Sequence, residues 1–201
     1  MGFARLATLL AILGMVAADA ATAVAASDNV ATFHSNGSGA TADLRWTDGC
    51  VRSIVFISVS EGRRGRGSAG GGVDLRDTCT GELLVFASGS TQDAAVSIAP
   101  RLNGAAAQGV IPMLDLVSGA TINVAFDVAW TPSGPLTRDR DHYSLDDGEV
   151  TDITHFINTS REATATGTAS DGTTVLLPPG TSGPGFLAWA NSGETIITMH
   201  Q

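Results

Sequence analysis

Apolar and polar residues alternate along residues 121–130, and this alternation is the clearest local pattern in the chain. A period of two residues predicts a β-strand with one face in a core and the other in solvent. Residues 110–117 predict a second strand, and Ser118-Gly119 between the two is typical of a tight hairpin turn. Pro112 lies inside this second strand and indicates an edge or a bulge there. The apolar members of the alternation are Ile122, Val124, Phe126, Val128 and Trp130.

Short strand-like segments recur through the rest of the chain, separated by turn residues such as Asp48-Gly49 and Asp171-Gly172. Residues 51–59 are apolar on both faces, which is typical of a central strand that is covered on both sides. About ten short strands without helical periodicity predict an all-β fold, an antiparallel β-sandwich with a β-barrel as the alternative. The remaining predicted strands are residues 41–46, 82–87, 95–98, 150–158, 163–169, 173–177, 186–190 and 195–199.

Residues 1–26 have the pattern of a secretory signal peptide. Arg5 supplies a positive charge, residues 6–18 are apolar but too short to span a bilayer, and Ala23-Val24-Ala25 offers a cleavage site. Residues 27–201 are then expected to form a single secreted β-domain, since no linker or internal repeat divides them. We expect the mature protein to be secreted, to the extracellular space or the periplasm.

The charge balance narrows the set of partners. Eleven Lys and Arg residues against 20 Asp and Glu residues give a formal net charge of −9. An acidic surface repels phosphate backbones and anionic bilayers, so we expect no nucleic-acid partner. No membrane span is expected after the signal peptide, because a span needs about 20 apolar residues in a row.

Cys50 and Cys79 are the two cysteines of the chain. An even pair in an exported protein is most simply a disulfide, with two free thiols or half of a metal site as the alternatives. No C-x-x-C motif is present and no histidine is close to either cysteine in sequence, which favours the disulfide. Closing a loop of about 30 residues would stabilise the fold by about 3–4 kcal/mol in the chain-entropy model.

Two segments, residues 61–72 and residues 131–149, are predicted to be long loops, where function often lies on a β-fold. The second is acidic and could supply the several oxygen ligands that Ca²⁺ requires. Its spacing does not follow an EF-hand, and Arg138 and Arg140 between the acids are expected to form local ion pairs. We therefore expect no cofactor, with Ca²⁺ as the alternative. The candidate ligands are Asp139, Asp141, Asp146, Asp147 and Glu149.

The four histidines are His34, His142, His155 and His200, and their spacing fits no H-E-x-x-H helix. His142 and His155 flank the acidic segment and could meet across two strands. With Asp141 or Asp146 they would then form a transition-metal site, although exposed histidines on strands are also common without one.

Aromatic residues offer a second kind of candidate site. Phe186 and Trp189 are close in sequence on a predicted strand, and an exposed pair could stack on sugar rings, although core packing is the simpler interpretation. No catalytic residue is assigned. Gly180-Thr181-Ser182-Gly183-Pro184 does not match the G-x-S-x-G nucleophile motif, and no pair of catalytic carboxylates can be recognised from the sequence.

Four short motifs resemble those of a group of small secreted bacterial all-β proteins of unassigned function, and the resemblance covers about residues 40–180. The resemblance implies a Cys50–Cys79 disulfide and an all-β domain, and it implies no catalytic residues. The motifs are Trp46 before Cys50-Val51, Asp77-Thr78-Cys79-Thr80, Asp115-Leu116-Val117-Ser118-Gly119 and Val128-Ala129-Trp130-Thr131.

These patterns together favour a secreted, non-catalytic module that binds a surface glycan or a protein. A secreted hydrolase with a site assembled from loops is the first alternative, and an exported enzyme inhibitor is the second. An enzyme would show a pocket with carboxylates or histidines of shifted pKa, whereas a binding module would show a face or groove with exposed aromatic side chains.

Overall fold

The computed structural model describes residues 30–62, 66–146 and 150–199, so the predicted signal peptide lies outside the described residues. Over these ranges the chain is mainly β-strand, with one short 3-10 turn at Pro100–Leu102. No helix within them is long and apolar enough to cross a membrane. The strands are β1 (Val30–Asp48), β2 (Val51–Glu61), β3 (Arg66–Asp77), β4 (Leu83–Ile98), β5 (Ala105–Asp115), β6 (Thr121–Asp146), β7 (Val150–Ser170) and β8 (Val175–Met199).

The eight strands form one closed antiparallel sheet. Each strand pairs with the next in the chain, and β8 returns to pair with β1, so that the sheet closes into a barrel. The all-β, antiparallel prediction is confirmed, and the sandwich that we expected first is corrected to its alternative, the barrel. Both architectures have the same alternation of inner and outer residues, and only the long-range pairing of β1 with β8 distinguishes them.

The interior of the barrel is filled by alternate residues of every strand, including the apolar face predicted for residues 122–130. Large aliphatic side chains face alanines, so that large and small residues together fill a narrow barrel. Trp130 is buried, and its indole N–H donates a hydrogen bond to the carbonyl oxygen of Thr41, 2.7 Å away. The larger side chains include Leu44, Val55, Ile57, Ile111, Met113, Val124 and Val128, and the alanines include Ala40, Ala42, Ala69, Ala107, Ala163 and Ala165.

The outer face of the barrel meets solvent. Gln108, Asn123 and Asp127 are exposed on it. Ile54 and Phe56 on the outer face of β2 are only half-buried, so this strand is not covered on both sides as we expected. The reason is that a closed single sheet has one interior and no second layer to cover its outside.

Two segments that the sequence predicted as loops are strands instead. Residues 66–72 belong to β3, and residues 131–146 belong to β6. The glycines of β3 serve close approach between strands, because a Cβ on Gly71 would overlap the carbonyl oxygen of Phe56. The acidic segment of β6 is held in the sheet by continuous pairing with β7.

The predicted disulfide between Cys50 and Cys79 is confirmed, with the two Cα atoms 5.3 Å apart. It joins the turn between β1 and β2 to the turn between β3 and β4. Asp77 accepts hydrogen bonds from the backbone N–H groups of Thr80 and Cys79, which lower the pKa of its carboxyl. The bridge thus staples two turns at one end of the barrel.

The turn between β5 and β6 lies at the same end and is organised by Asp115. This buried carboxylate accepts hydrogen bonds from the Ser118 hydroxyl, at 2.5 Å, and from the backbone N–H groups of Phe86, Val117 and Ser118. The Ser118 hydroxyl and these N–H groups, against the opposing effect of desolvation, lower the pKa of Asp115 to about 2. The charged carboxylate is therefore part of the folded structure.

Four strands continue beyond the other end of the barrel. Pairing of β1 with β2 stops at Gly39 and Ser60, and pairing of β5 with β6 stops at Ala105 and Trp130. Pairing among β6, β7, β8 and β1 continues to the ends of those strands. The result is a four-stranded extension, made of residues 137–146 of β6, 150–160 of β7, 188–199 of β8 and 30–38 of β1.

Candidate functional site

A groove lies where the four-stranded extension leaves the rim of the barrel, and it has a volume of about 460 Å³. We call it the rim groove. Its lining comes from the 3-10 turn, from β6, from β7 and from β8, so that segments far apart in sequence meet in it. The lining residues are Arg101, Leu136, Arg138, Thr159 and Trp189.

The sheet register explains why three of these residues are neighbours. Thr159 of β7 is paired with Arg138 of β6 on one side and with Trp189 of β8 on the other. Directly paired residues present their side chains on the same face of a sheet. Leu187, two residues before Trp189, is fully buried, so this face is the continuation of the barrel interior beyond the point where the barrel stays closed.

The groove exposes apolar surface to solvent. Trp189 is 42% exposed and Leu136 is 49% exposed. A tryptophan held on a strand at a rim offers a large, rigid face for a ligand. The groove therefore combines apolar side chains with two guanidinium groups.

Arg101 lies at the rim on a turn with an unusual backbone conformation. Arg101 and Leu102 have φ values of 58° and 54°, in the left-handed region that non-glycine residues rarely occupy. Leu102 is 2% exposed and packs with the barrel core, which anchors the turn. Strain of this kind is maintained only where the surrounding structure fixes the backbone, and here it places a guanidinium group at the groove.

Arg161 stabilises the same rim through two hydrogen bonds. Its Nε–H donates to the carbonyl oxygen of Gly134 at 2.8 Å, and its Nη1–H donates to Oδ1 of Asn103 at 2.9 Å. It thereby joins β7 to the irregular segment of β6 and to the loop after the 3-10 turn. Both of its acceptors are uncharged, so the positive charge of Arg161 adds to that of the groove.

The two guanidinium groups in the lining are not paired with any carboxylate in the part of the chain that the structure describes. Among the described residues the ion pairs are Arg45–Asp43 and Arg76–Asp74. Neither Arg101 nor Arg138 forms an ion pair within those residues. Most of the acids expected to pair with Arg138 and Arg140 have side chains outside the described part of the chain, namely Asp141, Asp146, Asp147 and Glu149. The groove is consequently a cationic site on a chain with a net charge of −9.

The predicted aromatic pair is separated by the sheet. Phe186 is paired with Glu162 and Trp189 with Thr159, without an irregularity between them. Residues three positions apart in a regular strand lie on opposite faces, so the two rings cannot stack on one sugar. Phe186 is half-buried, and Trp189 alone of the pair reaches the groove.

The acidic segment does not converge on one point. Position 139 is paired with Asn158 and position 141 with Phe156, and both belong to one face of β6. Positions 142 and 146 belong to the other face and are about 13 Å apart along the strand, at about 3.3 Å per residue. Asp147 and Glu149 lie outside the described residues.

His142 and His155, in contrast, come together as we predicted. They are paired directly across β6 and β7. Their Nδ1 atoms are 3.0 Å apart, and their ring centroids are 4.3 Å apart with an angle of 39° between the planes. Both side chains are exposed, so the pair is open to a ligand from solvent.

Another cluster of potential metal ligands is accounted for by the disulfide. Cys50, Cys79 and Asp77 place their ligand atoms within 4.8 Å of one another. The two sulfur atoms are bonded to each other, and the Asp77 carboxylate accepts backbone N–H groups of its own turn. This cluster is a structural one.

Sequence reasoning missed the groove as a unit, because Arg101, Leu136 and Arg138 carry no motif that links them to Trp189. Comparison of the chain with protein-family models, with curated proteins and with solved structures found no match. The geometry of the site is therefore the basis for a functional conclusion.

Proposed function

We propose that this protein is a secreted, non-catalytic binding module that holds an acidic glycan in the rim groove. The observation that carries the proposal is the exposed indole of Trp189 beside the guanidinium groups of Arg101 and Arg138, which have no carboxylate partner among the described residues.

The chemistry of the lining matches a charged sugar. The flat, apolar face of a sugar ring packs on an aromatic face such as that of Trp189. Guanidinium groups form two parallel hydrogen bonds with a carboxylate or a sulfate, and this pairing is stronger than one between neutral groups. The volume of about 460 Å³ is within the range of small-ligand sites, about 300–1,000 Å³.

The distribution of charge favours a short anionic ligand over a long polyanion. The chain as a whole has a net charge of −9, which repels an extended phosphate backbone. Arg101, Arg138 and the adjacent Arg161 supply the positive charge at the groove. A uronate or a sulfated sugar unit can occupy such a site without contacting the acidic remainder of the protein.

Binding is favoured over hydrolysis by the kind of side chains in the groove. A glycosidase requires two carboxyl groups on either side of the scissile bond. The residues that line the groove in the described part of the chain are two arginines, a leucine, a threonine and a tryptophan. These residue types hold and orient a ligand, and none of them is a general acid or base at neutral pH.

Secretion is part of the proposal. The Cys50–Cys79 disulfide is of a kind that forms and persists in oxidising compartments, which is consistent with export directed by residues 1–26. N-terminal sequencing of protein recovered from medium or periplasm should begin near residue 27. Recovery of the full-length chain from the membrane fraction would contradict export.

The binding proposal is tested by calorimetric titration with an oligogalacturonate, a sulfated oligosaccharide and the methyl-esterified oligogalacturonate as the uncharged control. We expect an anionic oligosaccharide to bind and the ester to bind at least about tenfold more weakly, since hydrogen bonds to charged groups contribute about 1.5–3 kcal/mol. Arg138→Gln and Trp189→Ala should each weaken binding. Arg52→Gln and Phe86→Ala, which alter exposed residues elsewhere on the barrel, should not.

Two results would overturn the proposal. One is the absence of binding by both anionic oligosaccharides. The other is binding that Trp189→Ala and Arg138→Gln leave unchanged, which would place any ligand outside the rim groove.

A further inference from the structure

The four-stranded extension carries a second candidate site, which does not depend on the glycan proposal. His142 of β6 is paired with His155 of β7, and His155 is paired with Glu194 of β8. Glu194 is in turn paired with His34 of β1. Three of the four histidines of the chain therefore share one register across four adjacent strands, with a glutamate between them. We call these four positions the histidine row.

We propose that the histidine row binds a divalent transition-metal ion, Zn²⁺ above all, through His142 and His155, and that Glu194, the next position of the row, is the one to test as a third ligand. The two histidines are neighbours because β6 pairs with β7, and the position of Glu194 beside them follows from the pairing of β7 with β8.

The distance between the two imidazoles fits a shared ion. A histidine nitrogen lies about 2.0–2.1 Å from Zn²⁺, so two such nitrogens on one tetrahedral ion are about 3.3 Å apart. The Nδ1 atoms of His142 and His155 are 3.0 Å apart. Without metal, one Nδ1–H donates to the other Nδ1; with metal, both Nδ1 atoms face the ion and each ring carries its proton on Nε2.

The third position follows from strand spacing. Neighbouring strands lie about 4.8 Å apart, so Glu194 is one spacing from His155 and two from His142. His34 is a further spacing away, about 14 Å from His142, which is too far for one ion to bind both. Because the His142–His155 contact is the observed one, the register makes Glu194 the nearest further position of the row and leaves His34 one strand farther away.

The donor set determines which ion is expected. Two imidazoles and a carboxylate are the protein ligands of many zinc sites that keep a position open for water. Imidazole suits Zn²⁺, Cu²⁺ and Ni²⁺, whereas Ca²⁺ prefers an all-oxygen set of six to eight ligands. The negative charge of the chain adds a long-range attraction for any cation.

The test is a titration of the chelator-treated, untagged protein with zinc chloride, followed by competition with a fluorescent zinc indicator. We expect one zinc ion per chain. His142→Gln and His155→Gln should each weaken binding by about tenfold or more, because even residues that only support a metal ligand contribute about 10–100-fold. Glu194→Gln should also weaken it. Asp139→Asn removes the same charge from the opposite face of the extension and should change the affinity by less than about twofold.

X-ray absorption of the zinc-loaded protein supplies a readout that does not rely on variants. It should show two imidazole ligands per zinc in the wild type and one in His155→Gln. Absence of zinc binding by the wild type would refute the site. Binding that both histidine variants retain in full, or an absorption spectrum without imidazole, would refute it as well.

Discussion

Gly185 is a position where the packing of the barrel core predicts a measurable effect of a single added carbon. A Cβ on Gly185 would lie 2.7 Å from Cδ1 of Trp130 and 3.1 Å from the carbonyl oxygen of Thr41. The ring cannot move aside freely, because Trp130 is buried and its N–H is bonded to that same carbonyl. Gly185→Ala should therefore strain the core.

The expected size follows from two opposing contributions. Overpacking of a close-packed core costs about 1–3 kcal/mol, and replacing glycine by alanine recovers about 0.4–1 kcal/mol through the unfolded chain. The free energy of unfolding should fall by about 1–2 kcal/mol. For a domain of this size that lowers Tm by about 2–8 °C.

The measurement is urea denaturation followed by circular dichroism, with Gly109→Ala as the matched control. A Cβ on Gly109 would meet a side-chain atom, Cε1 of Phe126, at 3.3 Å, and a ring edge can yield where a backbone carbonyl cannot. The control should change the free energy of unfolding by less than about 1 kcal/mol. If Gly185→Ala is as stable as Gly109→Ala, the hydrogen bond of Trp130 does not fix the ring as we argue.

Three further predictions concern stability. Replacing Cys50 and Cys79 together by alanine should lower the free energy of unfolding by about 3–4 kcal/mol, and thiol titration of the denatured, unreduced wild type should find no free thiol. Asp115 has a folded-state pKa of about 2 against an ordinary value of 3.8. Its contribution to the free energy of unfolding is therefore fully present above about pH 4 and is lost as the pH falls through about 2. When the free energy of unfolding is measured against pH, Asp115→Asn should show a flatter decline over that window than the wild type. Ser53 has a fully buried hydroxyl without a hydrogen-bond partner among the described residues. Ser53→Ala should therefore raise the urea concentration at the denaturation midpoint. A lowered midpoint would show that this hydroxyl has a partner such as an internal water.

Local alternation predicted the inner face of the barrel but could not predict its closure. Val124, Val128 and Trp130 are buried as the period of two requires. Closure depends on the pairing of β1 with β8, and nothing in either segment alone specifies a distant partner. A sandwich and a barrel are therefore equivalent at the level of the local pattern.

The prediction that the glycine-rich and acidic segments form loops was wrong for a related reason. Glycine weakens an isolated strand, yet at Gly71 its lack of a side chain allows β3 to approach the backbone of β2. Charged residues are unfavourable in a buried strand, yet the acidic part of β6 lies in an extension with exposed positions such as Asp139. Tertiary context overrides propensity at both places.

The candidate sites differ in how far the sequence could reveal them. His142 and His155 flank one hairpin, so their convergence follows from local pairing and could be predicted. The rim groove combines Arg101 from a strained turn with Trp189 from the last strand, and its assembly depends on the complete barrel.

The pairing of the first described strand with the last one has a consequence for the order of folding. β1 and β8 meet between residues as distant as Val30 and Thr198, and contacts at such separation form slowly because a long loop must be closed first. We expect the hairpins to form early and the seam between β1 and β8 to form last. A nascent chain would then stay open until β8 has been synthesised. Truncations within β8 would block completion of the barrel, whichever of the earlier hairpins had already formed.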